Sequence, residues 1–302
     1  MISKTLQRKK INTARLSIMS NTLLIIMKLL AGLFTGSVSI ISEAIHSSMD
    51  LMAAVIAFFS VKVSALPPDK KHPYGHGKFE NISGVIEALL IFIAAGWIIY
   101  EAVKKLMEPS LPESIGVGTI VMFVSAVVNF LVSRRLFKVA KETDSVALEA
   151  DALHLKTDVY TSLGVCVGLV LIWITNISLL DPIVAILVAC LILWESFTLL
   201  KRAFSPLLDT QLPDKEIQII ESIIHRHLTA DMGYHMLRTR KSGNLRHVDL
   251  HLELPGNLSV AESHDICDKI ENNIMAEIEH IEVYIHIEPR EEQIGKPIVT
   301  GH

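Results

Sequence analysis

The chain has 302 residues, 50% of them hydrophobic and 20% charged, with 28 basic against 32 acidic side chains and a formal net charge of -4. A mean hydropathy of +0.43 is too apolar for an ordinary water-soluble domain and points to several membrane spans. The slightly acidic balance offers no nucleic-acid footprint, and three cysteines without a CxxC pair (Cys166, Cys190, Cys267) offer neither a disulfide framework nor a thiolate metal site.

Taken in chain order, apolar stretches near residues 12–34, 38–65, 81–106, 114–136, 146–174 and 179–203 are each long enough to cross roughly 30 Å of hydrocarbon as a helix. The opening MISKTLQRKK and its apolar run mimic a signal peptide, but the run is too long and further spans follow, so it is expected to stay as the first span. Basic residues gather before span one (Lys4, Arg8, Lys9, Lys10, Arg15), between spans two and three (Lys70, Lys71, Lys78), between four and five (Arg134, Arg135, Lys138, Lys141) and after six (Lys201, Arg202). The alternate connections are nearly bare; only Lys104 and Lys105 break the pattern, offset by Glu101, Glu108 and Glu113. The positive-inside rule therefore places both termini, and with them the polar tail, in the cytoplasm. PSLPES at 109–114 reads as an external turn, and Gly32, Gly36, Gly164 and Gly168, at small-xxx-small spacing, as points of close helix packing.

Two spans carry ionisable groups where hydrocarbon is expected. Span two has His46 and Asp50; span five, in LEADALHLKTDVYTS, has His154 and Asp158. A spacing of i, i+4 puts both members of a pair on one helix face. Spans two and five run in opposite directions, and each pair lies eight to fourteen residues from its helix start, so His46 is expected level with Asp158 and Asp50 with His154. Two imidazoles and two carboxylates converging at mid-membrane form a four-ligand set that suits tetrahedral Zn²⁺. With both carboxylates ionised and both imidazoles neutral, a bound divalent cation leaves the site formally uncharged; without it, protons serve instead, the basis of metal/proton exchange. Lys28, Glu43, Glu87 and Glu195 are read as paired with one another or reaching an interface, ahead of the alternative that they line a polar cavity.

Between spans two and three, PPDKKHPYGHGKFE brings Asp69, His72 and His76 within eight residues of a basic turn. By residue count alone, a solvated Gly/Pro turn and a bound metal ion both remain open. In the tail, an amphipathic helix over 213–228, a hairpin turning at 242–244, a helix over 260–278 and a last strand EVYIHIE give the order αββαβ of a small open-faced sandwich. Alternation turns Val248, Leu250 and Leu252 toward the helices and His247, Asp249, His251 and Glu253 away, while His286 and Glu288 share a face opposite Ile285 and Ile287. A solvated, charged sheet face explains any one of these histidines as well as a ligand does.

The combination of HSSMD in span two, HPYGHGKFE at 72–80, HLKTD in span five, LLDTQLPDKE at 207–216 and the LRTRKSG and HIEP segments closely resembles the cation diffusion facilitators, specifically bacterial zinc and iron exporters. The resemblance implies a membrane all-α six-helix transmembrane domain (1–208) plus an α+β, ferredoxin-like cytoplasmic C-terminal domain (209–302). It also implies a multi-pass homodimer in the inner cell membrane, exporting divalent metal against inward proton flow. It adds weight to a loop metal site at Asp69, His72 and His76, and maps tail metal positions onto His235, His251, His264, His286 and Glu288, the last departing from the family's frequent aspartate. The transport set His46, Asp50, His154 and Asp158 resembles that of zinc-selective members.

Three functions compete on these residues. A secondary transporter would bind Zn²⁺, or Fe²⁺, Co²⁺, Cd²⁺ or Ni²⁺, at mid-membrane and release it as protons return; no Walker A pattern is present. A membrane metalloenzyme would want an open coordination position and a general base, but neither HExxH nor G-x-S-x-G occurs. A metal-gated sensor without transport is the third. The closed four-ligand set favours carriage.

Overall fold

A computed structural model describes residues 4–35, 38–107, 117–175 and 179–290. The side chains of Glu43 and His46 and the expected turn at 109–114 lie outside the described residues. Two compact units follow one another, the first ending at Phe204 and the second beginning at Ser205.

The first unit is six long helices: α1 (Lys4–Thr35), α2 (Val38–Ser64), α3 (Lys78–Met107), α4 (Val117–Thr143), α5 (Val146–Thr175) and α6 (Leu180–Phe204). Four segments, Thr5–Phe34, Ser47–Ser64, Lys78–Met107 and Pro182–Leu208, satisfy both the length and the composition of a membrane span among the described residues. α1 is amphipathic in the sense opposite to a soluble helix. Lys10, Thr13, Ser17, Asn21 and Lys28 are buried at helical spacing, while Met19, Leu23, Ile26, Leu30 and Leu33 are exposed. Polar groups turned inward and apolar groups outward are what a helix facing lipid requires.

Helix α5 is the shared wall of two packed clusters. Ala147, Leu148, Ala152 and Leu155 meet α1, α2 and α4 through Ala14, Val61, Val132 and Leu136. Val146, Ala150 and Leu153 meet α3 and α6 through Ala88, Ile91, Ile192 and Leu199. The short α4–α5 turn needs one residue in the left-handed region, Asp144 with φ 48°, followed by Ser145, whose Oγ accepts from the Leu148 N–H at 3.4 Å and so helps cap α5. Serines tie backbones across helices: Ser133 Oγ donates to the Ala152 carbonyl at 2.7 Å and Ser196 Oγ to that of Ala88 at 2.8 Å.

Gly164 bears out its expected packing role, since a Cβ there would lie 3.0 Å from Val188 on α6. The tighter approach is at Gly84, where a Cβ would come within 2.7 Å of Val146 and 3.0 Å of Ala203. Gly84→Val should therefore prise α3 from α5 and α6 and lower the melting temperature of the detergent-solubilised protein by several degrees, with Gly96→Val, which meets open space, as the unaffected control.

In the second unit a 3₁₀ turn (Ser205–Leu208) leads to α7 (Asp214–His227), β1 (Gly233–Ser242), β2 (Leu245–Leu254), α8 (Val260–Glu277) and β3 (Ile281–Pro289). The sheet order is β1-β2-β3, with β1 and β2 antiparallel and β2 and β3 parallel across the α8 connection. α8 starts at a complete capping box, the Ser259 side chain accepting from the Glu262 N–H and Glu262 reaching back to the Ser259 N–H. Ile220, Ile223 and Ile224 of α7 and Cys267, Ile270 and Ile274 of α8 cover Val248, Leu250 and Leu252, as strand alternation anticipates. The departure from simple alternation is in β1. Between His235, paired with His251, and Arg238, paired with Asp249, the strand carries an extra residue, with Met236 at φ 52°. This bulge shifts the side-chain parity of the first residues of β1 and brings His235 onto the same face as His251.

Candidate metal centres

The membrane unit holds the first centre. α2 and α5 are packed so that Asp50 Oδ1 lies 3.0 Å from His154 Nε2, with Asp50 only 5% exposed. These are the two groups expected at the same level. The other level is described on one side: Asp158 Oδ2 accepts from Asn129 Nδ2 of α4 at 3.1 Å. α1 supports the same turn of α2, with Asn21 Nδ2 donating to the Asp50 carbonyl at 3.4 Å and Lys28 Nζ donating to Ser47 Oγ at 2.8 Å.

Behind this pair stand two further buried carboxylates. Asp151, one turn before His154, accepts from Ser17 Oγ at 3.1 Å, and Glu87 of α3 accepts from Ser83 Oγ at 3.1 Å. Both residues are fully buried, and Asp151 Oδ2, Glu87 Oε2, Asn129 Oδ1 and His154 Nδ1 make no hydrogen bond among the described residues. Such a concentration of unsatisfied polar atoms signals a site that exchanges water, protons or an ion rather than static core. Asn129, Asp151, Ser17 and Asn21 were not singled out from sequence. The helical spacing of polar residues along α1 is the signal that finds two of them, and the i, i+4, i+8 spacing of the buried Ser125, Asn129 and Ser133 along α4 is the signal that finds Asn129. Lys28 and Glu195 do not simply snorkel: Lys28 is buried, and Glu195 Oε1 accepts from Lys156 Nζ at 2.8 Å.

The second centre is the connection between α2 and α3. Asp69, His72 and His76 bring one ligand atom each within 4.8 Å of one another. Asp69 Oδ1 is 3.2 Å from His72 Nδ1 and Oδ2 is 3.3 Å from His76 Nε2. The arrangement is local in origin. Asp69 Oδ1 accepts from the backbone N–H of His72 at 2.6 Å and of Lys71 at 2.8 Å, while the His72 carbonyl accepts from the Gly75 N–H at 2.9 Å, Gly75 having φ 82°. The His72 N–H is the main cause that holds the Asp69 carboxyl below its usual value, so it remains ionised at neutral pH and available to a cation. His76, by contrast, is buried and its Nδ1 makes no hydrogen bond among the described residues.

The third centre is the sheet face turned away from α7 and α8. Register places His235, His251 and His286 side by side across β1, β2 and β3, and Glu253 beside Glu288 two residues on. His235, His251 and Glu288 supply ligand atoms within 4.8 Å of one another. Glu288 bridges them, with Oε1 2.9 Å from His251 Nδ1 and Oε2 3.5 Å from His235 Nε2. His286 is adjacent, its ring 4.9 Å from that of His251 and its Nε2 3.7 Å from Glu288 Oε1. His264 is not among the described residues that gather ligand atoms with this trio; on α8 its side chain is 72% exposed, with Asp268 Oδ1 at 3.7 Å on its own helix. Glu253 Oε1 lies 3.2 Å from His235 Nδ1, a carboxylate that alternation alone put on this face.

The same face is not open throughout. His247 is 2% exposed, and burial pushes its imidazole down, so it stays neutral near Glu282. His251→Ala removes the central ring of the row and should abolish Zn²⁺-induced thermal stabilisation of the soluble tail, whereas His264→Ala should leave it within about twofold in Zn²⁺ affinity; calorimetry with and without Zn²⁺ reads both.

Residues 14–208 match the cation efflux transmembrane domain, and residues 212–290 match the cytoplasmic domain of cation efflux proteins. The chain belongs to the cation diffusion facilitator family. Among its relatives, an uncharacterized transporter of Synechocystis is 36% identical over 88% of this chain and 86% of its own. The cation-efflux pump FieF of Shewanella oneidensis is 33% identical over 91% and 93%, and that of Cronobacter sakazakii 32% identical over 89% and 89%. The protein is a multi-pass membrane transporter of divalent cations acting in efflux, not an enzyme, with a helical membrane part and a small α+β domain.

Proposed function

We propose that this facilitator exports Zn²⁺ from the cytoplasm in exchange for protons, with His46, Asp50, His154 and Asp158 as the ligands of the transported ion. The observation that carries the reading is the buried 3.0 Å approach of Asp50 to His154 across α2 and α5. Two oxygen and two imidazole donors suit Zn²⁺ better than larger, oxygen-preferring cations. Metal binding requires the imidazoles neutral and the carboxylates ionised, so loading displaces protons and unloading readmits them.

Residues 1–208 form the transport domain and 209–302 a cytoplasmic domain that pairs two copies of the chain. The basic flanks of spans one, two, four and six support cytoplasmic termini in the inner membrane. Asp69, His72 and His76 form a second metal site at the mouth of the path. His235, His251 and Glu288, with His286 alongside and His264 contributed from α8, form a third, which biases the cycle if metal binds one conformation more tightly than another.

Proteoliposomes with an imposed pH gradient test the exchange. Zn²⁺ flux should rise with an opposing proton gradient and collapse with an ionophore that dissipates it, ahead of Fe²⁺, Co²⁺, Cd²⁺ and Ni²⁺. Flux indifferent to the gradient would remove the exchange mechanism.

A further inference from the structure

The four-ligand reading leaves Lys28, a buried cation of the membrane unit, without a role. α1 meets the site with three polar residues in succession. Ser17 reaches Asp151, Asn21 the Asp50 carbonyl and Lys28, two turns beyond Asn21, the hydroxyl of Ser47 at 2.8 Å. Ser47 follows His46 and precedes Asp50 by three residues, so the Lys28 ammonium enters the very turn of α2 that bears the ligand pair. Lys28 is 6% exposed and does not run its stem out to an interface. A lysine held this deep in a lipid-facing bundle is costly unless negative charge compensates it. The carboxylate set beside it on α2 is Asp50, one turn past the Ser47 that Lys28 holds.

We propose that Lys28 is a positioning and release-determining residue of transport: a fixed counter-cation that balances the carboxylates of the empty site and repels the divalent ion that fills it. The inference rests on the proposed transport site. A metal ion loses part of its attraction to the carboxylates because Lys28 already claims it, and a 2+ ion feels the ammonium twice as strongly as a proton does. The fixed charge therefore weakens the loaded state, speeds unloading and lets the empty carrier reset without carrying metal. Tight holding is of no use to a carrier that must let go, which is why a repelling group beside the ligands makes functional sense.

The test uses the full-length protein in proteoliposomes with Zn²⁺ as the probe. Lys28→Gln keeps a donor to Ser47 and deletes the charge, Lys28→Met deletes both, and Lys28→Arg keeps the charge. The expected result is a KM for Zn²⁺ at least ~10-fold lower in the Gln and Met variants, with kcat several-fold lower, and both constants within ~3-fold of the parent for Arg. A Gln variant with unchanged or raised KM overturns the proposal. So does failure of both neutral variants to assemble in the membrane, which would assign Lys28 a purely structural part. Asp50→Ala run in parallel separates the two levels. Flux surviving that change removes the site reading itself, whereas flux lost there with an unmoved Gln KM removes only the role of Lys28.

Discussion

Asp50→Ala is expected to reduce Zn²⁺ flux by at least ~100-fold while leaving the folded protein intact. The physical argument starts from the contact it deletes. Asp50 Oδ1 is the group 3.0 Å from His154 Nε2, and the other ring nitrogen of His154 makes no hydrogen bond among the described residues. Removing the carboxylate thus takes away a proposed metal ligand and at the same time frees the imidazole to rotate. Loss of groups that merely orient a ligand costs about 10- to 100-fold in metal sites, so loss of a ligand together with its neighbour's orientation should exceed that range. Asp50→Asn, which keeps the shape and a hydrogen-bonding oxygen without the charge, should lose nearly as much, because one charge of the pair that neutralises the ion is gone. Initial-rate flux measurement at matched protein content decides it; near-parental rates in either variant would displace the ion from this position.

Breaking the ion pair at Glu80 should be the most destabilising single change in the membrane unit. Glu80, in the first turn of α3, is buried against Lys10 of α1, Ser64 at the end of α2 and Ser145 just before α5. One carboxylate thus joins four helices at the end of the bundle that carries the α2–α3 and α4–α5 connections. Glu80→Ala leaves the Lys10 ammonium buried without its counter-charge and the Ser145 hydroxyl without this acceptor, while Ser64 keeps the Val61 carbonyl at 3.0 Å. Removing one partner of a buried pair costs about 3–5 kcal/mol. Lys10→Met combined with Glu80→Leu should recover most of that loss, because no charge is then stranded. Thermal melts of the two singles and the double in detergent measure the cycle. Singles close to the parent would show that water reaches the pair.

Lys10 shows how context revises a residue's meaning. From sequence it belongs to the basic N-terminal cluster that orients the first span, yet it is one of the most buried charges of the bundle. Nothing in KTLQRKKIN distinguishes Lys10 from Lys9, which pairs with Glu142 at a far more open position. The choice between them depends on the rotation of α1 against α3, and rotation is decided by packing across helices distant in sequence.

What the sequence determined by itself is whatever follows from short-range periodicity. The apolar runs set the six helices, the i, i+4 spacing put each His/Asp pair on one face, the Asp69-xx-His72-xxx-His76 spacing closed a loop whose own backbone hydrogen bonds hold the carboxylate, and strand alternation sorted the tail's histidines from its core. What only the tertiary structure decided are relations between elements. These are the Asn129 hand on Asp158, the polar stripe of α1 laid along α2, the buried Asp151 and Glu87, and the β1 bulge that brings His235 level with His251 while His264 stays on its own helix. The reason is one of range. A helix or strand writes its own period into consecutive residues, but which faces meet depends on burial and close approach summed over the whole unit, and one extra residue in a strand is enough to reverse which side a histidine presents.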